Sequence, residues 1–181
     1  SINNFKTVDD RRISQLNFEN VGINADQIVA AGDEAEQLIK DAINYGTLCV
    51  SAEAVGCMES CYLKTVEYTK SREQFGQPIS NFQVLQHKMV DMFIEAELCK
   101  SLLYKSMIDM HENNDSKFRS VSALKSQVGL SGKKVGEDAV QLHGGMGVSE
   151  EMSIGHYLKR FISIDSQFGN SHFHLKKFNN S

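Results

Sequence analysis

The sequence is poor in residues that interrupt helices: it has one proline, Pro78, in 181 residues. Because proline breaks the helical hydrogen-bond pattern, its near absence leaves room for long helices. No apolar run approaches the length of a membrane span, and no secretory signal opens the chain. We therefore expect a soluble protein of the cytoplasm.

Basic runs and clustered metal ligands are also lacking. The net charge is -4, with 19 basic and 23 acidic residues, and this balance argues against a nucleic-acid partner. His172 and His174 fall on different sides of any helix, and the cysteines lack the paired short spacings of a zinc site. The four cysteines are Cys49, Cys57, Cys61 and Cys99. We expect reduced thiols and no metal.

Apolar residues are abundant, and they recur at helical spacing in four segments. The four stripes are Leu38, Ala42, Tyr45, Cys49, Ala52, Gly56, Leu63 and Val66; Phe82, Leu85, Met89, Met92, Ala96, Cys99 and Leu103; Val121, Leu124, Val128, Val135 and Leu142; and Ile154, Tyr157, Leu158, Phe161 and Ile162. Four amphipathic helices joined by short turns predict an all-α fold, an antiparallel four-helix bundle between residues 33 and about 165.

Polar residues ahead of each stripe predict where the helices begin. The predicted starts are a capping box of Asp33 and Glu36, a cap at Ser80 or Asn81, a start near Ser116, and a cap at Ser149. We expect the third helix to end at a glycine-rich turn that begins at Gly144.

Residues 1–30 follow a different pattern. Phe5 to Val8, a turn at Asp9 and Asp10, and Leu16 to Glu19 alternate as a β-hairpin would. An isolated hairpin is marginal in water and needs a sheet to join. We therefore predict two parts: residues 1–30, the end of a β-domain, and a helical bundle over residues 31–181.

Two dense motifs flank the helical stripes. Residues 141–147 read Gln-Leu-His-Gly-Gly-Met-Gly, and their glycines leave backbone amides uncovered, as a phosphate or cofactor edge requires. Residues 71–79 read Ser-Arg-Glu-Gln-Phe-Gly-Gln-Pro-Ile and combine a permanent cation with an amide and an aromatic ring. Each motif has a simpler interpretation: the glycines end a helix, Arg72 pairs with Glu67 or Glu73, and Phe75 is a core anchor.

Taken together, the two motifs and the helices around them closely resemble the C-terminal half of the acyl-CoA dehydrogenase family. These FAD flavoenzymes desaturate acyl-CoA thioesters next to the carbonyl. The resemblance covers nearly the whole chain and implies that residues 1–30 are the end of the family's middle β-domain. It also suggests the heteromeric type found in bacterial steroid and side-chain degradation.

The resemblance implies a role in FAD binding for both motifs. Arg72, Gln74, Phe75 and Gly76 match the motif that reaches across a subunit interface to the pyrophosphate and adenosine of a neighbour's FAD. Phe82-Gln83 matches a Phe-Gln pair near the adenine end of that cofactor. The remaining matches, along the ADP moiety, are Gln141, Gly144 and Gly145. We expect the Arg72 motif of one chain and the glycine turn of another to approach a common groove.

The family's catalytic glutamate has no counterpart at either of its usual positions. Those positions correspond to Phe168 and Gly46, and neither residue accepts a proton. Glu53 and Glu59 lie on the same first helix, but nothing in their spacing selects them. Three accounts stay open: a non-catalytic subunit that lends FAD contacts to a partner that holds the base, an enzyme with its base in the missing half of the protein, or a member diverted to other chemistry.

The resemblance also implies partners. They are an acyl-CoA substrate, an electron-transfer flavoprotein as electron acceptor, and further subunits, identical or different, in a dimer of dimers. A rival interpretation is a helical interaction domain, a structural subunit that has kept the bundle and lost the chemistry.

Overall fold

The computed structural model describes residues 1–180 and confirms the all-α bundle. The helices are α1 (Gly32–Ser71), α2 (Gln83–His111), α3 (Lys117–His143), α4 (Ser153–Ser166) and α5 (Ser171–Asn179). Two short hairpins pair β1 (Ile2–Lys6) with β2 (Arg12–Leu16), and β3 (Glu73–Gln74) with β4 (Gln77–Pro78). Among the described helices, none is long and apolar enough to cross a membrane.

Helix α3 is the centre of the bundle and packs against all four other helices. Its predicted stripe, from Val121 to Leu142, is buried along its whole length. The stripes of α2 and α4 also contribute to the core, through residues such as Met92 and Phe161. Helix α5 was not predicted; it starts where the Asn170 side chain accepts a hydrogen bond from the Phe173 amide at 2.9 Å.

The predicted core stripe of α1 was wrong, because Leu38, Tyr45 and Leu63 are half or more exposed. The buried face instead combines Met58 and its apolar neighbours with hydroxyl residues such as Thr47. The hydroxyls of Thr47, Ser51 and Thr65 donate to carbonyls one turn earlier at 2.7–2.8 Å. Because each hydroxyl is satisfied within the helix, these small polar residues can be buried, and an apolar strip is left on the outside.

Three of the predicted helix caps were also wrong. The residues that precede α1, α2 and α4 are Ala31, Phe82 and Met152, and none of them caps its helix with a side chain. In the case of α2, Ser80 and Asn81 belong to a 3₁₀ turn over Ile79–Asn81, so neither can cap the helix. Helix α3 starts after Ser116, as predicted.

The first hairpin lies slightly earlier in the sequence than predicted. Its register pairs Ile2 with Leu16 and Lys6 with Arg12, and all ten strand residues are exposed. Of the predicted segment Leu16 to Glu19, only Leu16 belongs to a strand. The Thr7 amide donates a hydrogen bond to the Arg11 carbonyl at 2.8 Å, which closes the turn between the strands. That this hairpin belongs to another domain stays a prediction.

Arg160 of α4 holds the turn of this hairpin against the bundle. Its guanidinium donates to Asp9 at 2.8 Å and to both carboxylate oxygens of Glu53 at 2.7 and 2.8 Å. The side chains of Arg160 and Asp9 are only 10% and 5% exposed. Although burial opposes ionisation, hydrogen bonds from Thr7, Arg160 and Ser163 lower the pKa of Asp9 to about 2.

We predict that Arg160→Gln destabilises the protein by roughly 2–4 kcal/mol, because it removes the hydrogen-bonded cation of the buried Asp9 carboxylate and leaves only the more distant Arg11, at 3.8 Å. Urea unfolding would measure the loss. Lys159→Gln is the matched control, since Lys159 pairs with the exposed Glu150 and should cost nothing measurable. Equal effects of the two substitutions would contradict this account of the hairpin.

Candidate functional site

An open cleft of about 460 Å³ lies where α1 and α3 end. The two sequence motifs meet in it. Its lining comprises Tyr68, Arg72, Gln74, Ile79, Gln141, Leu142, His143, Gly144, Gly145 and Met146. Because the C-terminal ends of α1 and α3 lie side by side, the two motifs already meet within one chain. That the Arg72 motif of one chain and the glycine turn of another approach a common groove stays a prediction.

Arg72 follows the last residue of α1, where its amide donates to the Tyr68 carbonyl at 2.9 Å. Among the described residues, its guanidinium makes no ion pair. Glu67 is paired with Lys70 at 2.8 Å, so the simpler interpretation of Arg72 as a partner of Glu67 or Glu73 was wrong. The cleft therefore contains a permanent cation that has no counter-ion among residues 1–180.

Phe75 lies at the tip of the β3–β4 hairpin and is 91% exposed, so its interpretation as a core anchor was wrong. Phe75 and Gly76 have φ angles of 55° and 80°, as the two central residues of a type I′ turn require. The ring contacts Phe82 edge-on, with centroids 6.0 Å apart. Phe75, Phe82 and Gln83 do not line the cleft, so this aromatic pair forms a separate surface beside it.

The glycine turn closes the other side of the cleft. Gly144 follows the last residue of α3 with a φ of 58°, and a Cβ on Gly144 or Gly145 would meet no atom within 4 Å. Gly147 differs, because its Cβ would lie 2.7 Å from the Val140 carbonyl oxygen. The first two glycines therefore keep backbone exposed to the cleft, whereas Gly147 is required by packing.

Tyr68 and His143 form the floor of the cleft, and the sequence analysis missed both. Their rings stack with centroids 4.1 Å apart. The His143 Nδ1 lies 2.8 Å from the Ala139 carbonyl oxygen, which makes Nδ1 the donor, and burial lowers the pKa of the ring. His143 is therefore neutral near pH 7. Tyr68 lies one turn before Arg72, and this spacing is the signal that identifies it in the sequence.

Gly46 and Phe168, the two positions at which the resemblance predicts a catalytic glutamate, lie against each other. A Cβ built on Gly46 of α1 would lie 2.7 Å from Cζ of Phe168, in the loop between α4 and α5. The benzyl ring thus occupies the space that a side chain at residue 46 would need. No titratable group stands at either position.

The loop that carries Phe168 is held by a buried cation. Lys125 of α3 is fully buried and donates to the carbonyls of Asp165 and Gly169, both at 2.9 Å. His174 of α5 adds a bond from Nε2 to the Phe168 carbonyl at 3.0 Å. Burial lowers the pKa of Lys125 to about 8. Phe168 is fixed by this frame in the left-handed region, with a φ of 56°.

Neither Glu53 nor Glu59 lies beside this position. Glu53 is bound to Arg160, and the hydrogen bond from Arg160 lowers its carboxyl pKa. Glu59 is about half exposed and lies 3.6 Å from Lys100. A paired carboxylate of lowered pKa is a poor proton acceptor, so the geometry does not favour Glu53 as a base.

Known proteins share this architecture. The family model described as "Acyl-CoA dehydrogenase, C-terminal domain" matches residues 36–176. The short-chain specific acyl-CoA dehydrogenase of Megasphaera elsdenii is 29% identical over 146 residues, which cover 80% of this chain and 38% of that protein. The chain belongs to the acyl-CoA dehydrogenase family.

Two solved structures share the fold at low sequence identity. The ChsE4-ChsE5 complex from Mycobacterium tuberculosis gives a TM-score of 0.90 at 22% identity and covers 99% of this chain and 48% of that chain. The structure described as PigA with FAD and proline gives 0.86 at 22% identity and covers 99% and 48%. The chain thus spans about half the length of these two structures and 38% of the Megasphaera elsdenii protein.

We predict that Gly46→Ala lowers the free energy of unfolding by about 1–2 kcal/mol relative to Gly56→Ala, because only the Cβ at residue 46 meets the Phe168 ring. Gly56 also lies within α1, and its added Cβ would meet nothing within 4 Å, so Gly56→Ala should gain about 0.5–1 kcal/mol of helix stability. In a Phe168→Ala background the two substitutions should become equal. Urea unfolding of the four variants tests this prediction. Equal effects of the two alanine substitutions in the parent protein would contradict the contact between Gly46 and the Phe168 ring.

Proposed function

We propose that this chain is the C-terminal domain of an FAD-dependent acyl-CoA dehydrogenase-like protein, acting in α,β-desaturation of an acyl-CoA thioester within an oligomer. We further propose that it contributes contacts to FAD and does not itself supply the catalytic base. The packing of Phe168 on Gly46 is the observation that carries this second proposal, because it fills both usual positions of the base without a proton acceptor.

The chemistry of the cleft fits the ADP part of FAD. The Arg72 guanidinium forms no ion pair within the described part of the chain and can fork onto pyrophosphate oxygens. Gln74 and Gln141 line the same cleft and offer amide donors and acceptors, and Gly144 and Gly145 allow the backbone to approach closely. When bound, FAD would accept the β-hydrogen of the substrate as hydride.

The distance between the two regions supports an assembly. Gly46 and Arg72 lie 26 positions apart on one helix, or about 39 Å at the helical rise. This separation exceeds the reach of one dinucleotide. We therefore infer that the cleft and the Phe168 position of one chain serve two different FAD molecules, which requires at least two subunits, consistent with a dimer of dimers.

Phe75 supports an interface next to the cleft. A phenylalanine in the left-handed region costs on the order of 1–3 kcal/mol, and an almost fully exposed ring recovers little of that by packing. A partner that covers the Phe75–Phe82 pair, by a protein surface or an adenine ring, would supply the missing burial. Gln83 begins α2 beside this pair and belongs to the same surface.

The alternative function is a structural or FAD-contacting subunit of a heteromeric acyl-CoA dehydrogenase. The similarity to a ChsE4-ChsE5 complex supports an assembly of unlike subunits. A purely structural subunit would hold no flavin, so the absorption spectrum of the purified full-length protein, alone and with its partner, separates a purely structural subunit from one that contacts FAD. An electron-transfer flavoprotein is the electron acceptor in this proposal.

We predict that Arg72→Ala in the full-length protein weakens FAD binding by roughly 1.5–3 kcal/mol, the contribution of a hydrogen bond to a charged group. Fluorescence titration of the apoprotein with FAD measures the change. Lys70→Gln is the matched control, because Lys70 is a nearby cation already paired with Glu67. Flavin affinity that stays the same in Arg72→Ala would exclude Arg72 from the site.

We also predict that the lone full-length subunit, reconstituted with FAD, oxidises acyl-CoA about 10²- to 10⁴-fold more slowly than a complex whose partner supplies the base. An artificial electron acceptor reports the rate. Phe168→Glu should raise the rate of the lone subunit. Phe168→Gln should not, because glutamine has the shape of glutamate but no titratable group. A normal rate for the unmodified lone subunit, on the order of 1–10³ per second, would refute the non-catalytic account.

A further inference from the structure

His143 has a hydrogen-bonding atom that the proposed FAD contacts do not use. The residue ends α3, is only 4% exposed, and lines the cleft that also contains Arg72, here called the Arg72 cleft. Its Nδ1 lies 2.8 Å from the Ala139 carbonyl oxygen, whereas its Nε2 bonds to no residue in the described part of the chain. An unpaired polar atom on a buried side chain is costly, and such atoms are most common where a ligand or water completes the site.

Two contacts fix the orientation of this ring. Its face stacks on the ring of Tyr68, and its Nδ1 edge points back along α3 to the carbonyl one turn earlier. The Nε2 edge is therefore the part of the ring that is left for a ligand. The Arg72 guanidinium and the exposed backbone of Gly144 and Gly145 line the same cleft. An anion held by these groups would share the cleft with the free edge of His143.

The charged side chains around His143 cancel one another. On the cleft side, Arg72 is the one charged residue of the described lining. The other side of the ring borders a pocket of about 520 Å³, to which α1 contributes Lys64 and Glu67 and the loop before α4 contributes Glu151. Helix α3 adds no charged side chain to either lining. Two cations thus face two carboxylates, so a bound anion would determine the net charge that the ring experiences.

An anion beside Nε2 would change the protonation state of the ring. Burial lowers the pKa of His143, and the bond to the Ala139 carbonyl opposes this shift only in part. A nearby negative charge raises the pKa of an imidazole, because it stabilises the charged form. Nδ1 already donates its hydrogen, so a second proton goes to Nε2 and makes that atom a donor as well. The ring would then act as a second cation toward the anion.

We propose that His143 takes up a proton from solvent when FAD binds and donates a hydrogen bond from Nε2 to the pyrophosphate, beside Arg72. This inference rests on the proposed contact with FAD and adds proton-coupled recognition to it. A ring that becomes charged only with the anion in place avoids an unpaired buried imidazolium in the free protein. By linkage, the affinity for FAD rises as the pH falls through the pKa of the bound ring, and it levels off below the pKa of the free ring.

The test is fluorescence titration of the full-length apoprotein with FAD at about pH 6 and about pH 8, on either side of the range in which histidine titrates. The pyrophosphate of FAD carries the same charge at both pH values, so a change in affinity belongs to the protein. We expect at least about fivefold tighter binding at the lower pH. Calorimetry in buffers of different ionisation enthalpy should show uptake of up to about one proton per FAD. His143→Phe, which keeps an aromatic ring against Tyr68, should remove both effects.

Two further variants guard against a fold defect. His143→Gln can donate a hydrogen bond but cannot titrate, so it should bind FAD without dependence on pH. His156→Phe is the matched control, because it removes an exposed histidine that lines neither of the two pockets beside His143, and it should keep the pH dependence.

The outcomes separate this inference from the FAD proposal. Arg72→Ala should weaken binding at both pH values, whatever the role of His143. FAD that binds equally well at both pH values, or less well at the lower one, would overturn the inference and leave the FAD proposal standing. Equal effects of His143→Phe and His156→Phe on the pH dependence would overturn it as well. Absence of FAD binding at both pH values, to a protein that circular dichroism shows to be folded, would overturn both proposals.

Discussion

The buried ammonium of Lys125 is the interaction on which the C-terminal half of the bundle depends. It sits on the central helix α3 and bonds the carbonyls of Asp165 and Gly169, at the end of α4 and in the loop before α5. Gly129, one turn later on α3, has no side chain, and a Cβ there would collide with the Asp165 carboxylate. That carboxylate in turn accepts the Ser171 amide at 2.9 Å, where α5 begins. An unpaired buried charge is very costly, so the bonds from Lys125 hold the loop before α5 in this arrangement. The loop in turn places Phe168 over Gly46.

Much of this fold could be predicted from the sequence, and the exceptions have a common cause. The stripe on α3 was assigned correctly because that helix is surrounded by the others, so its apolar residues serve a single core. Helix α1 has apolar residues on two faces and satisfied hydroxyls on the buried one, so periodicity alone selected the exposed face. The motif residues Arg72, Gln141, Gly144 and Gly145 could be recognised as a set, but their meeting within one chain could not. The contact between Gly46 and Phe168 joins residues far apart in sequence, and only the packing of α1 against the C-terminal loop brings them together.

Two phenylalanines adopt the left-handed conformation, and each lies at a place where we propose function. The other non-glycine residues with positive φ are Asp10, Asn20 and Asn113, types that tolerate this region. Phe75 stands at the tip of the β3–β4 hairpin beside the Arg72 cleft, and Phe168 stands at the position that we propose lacks the catalytic base. A bulky residue in this conformation persists only where its surroundings compensate for the strain. The chain thus contains two strained points that lie about two thirds of the length of α1 apart.

The backbone strain at Phe168 is compensated within the chain, whereas the strain at Phe75 is not. Phe75 therefore needs a partner, and Phe168 does not. At Phe168 the chain supplies the compensation: Gly46 makes room for the ring, and His174 and Lys125 fix the backbone around it. Stability alone can therefore maintain Phe168, whether or not the chain ever transfers a proton. At Phe75 and Arg72 the chain supplies little, since the ring is exposed and the guanidinium has no counter-ion among the described residues. Neither the strained backbone of Phe75 nor the charge of Arg72 contributes to stability. An anionic ligand in the cleft and a second surface over Phe75 would explain why both residues are retained. By this argument, the proposed contact with FAD would be maintained by function, whereas Phe168 is maintained by packing.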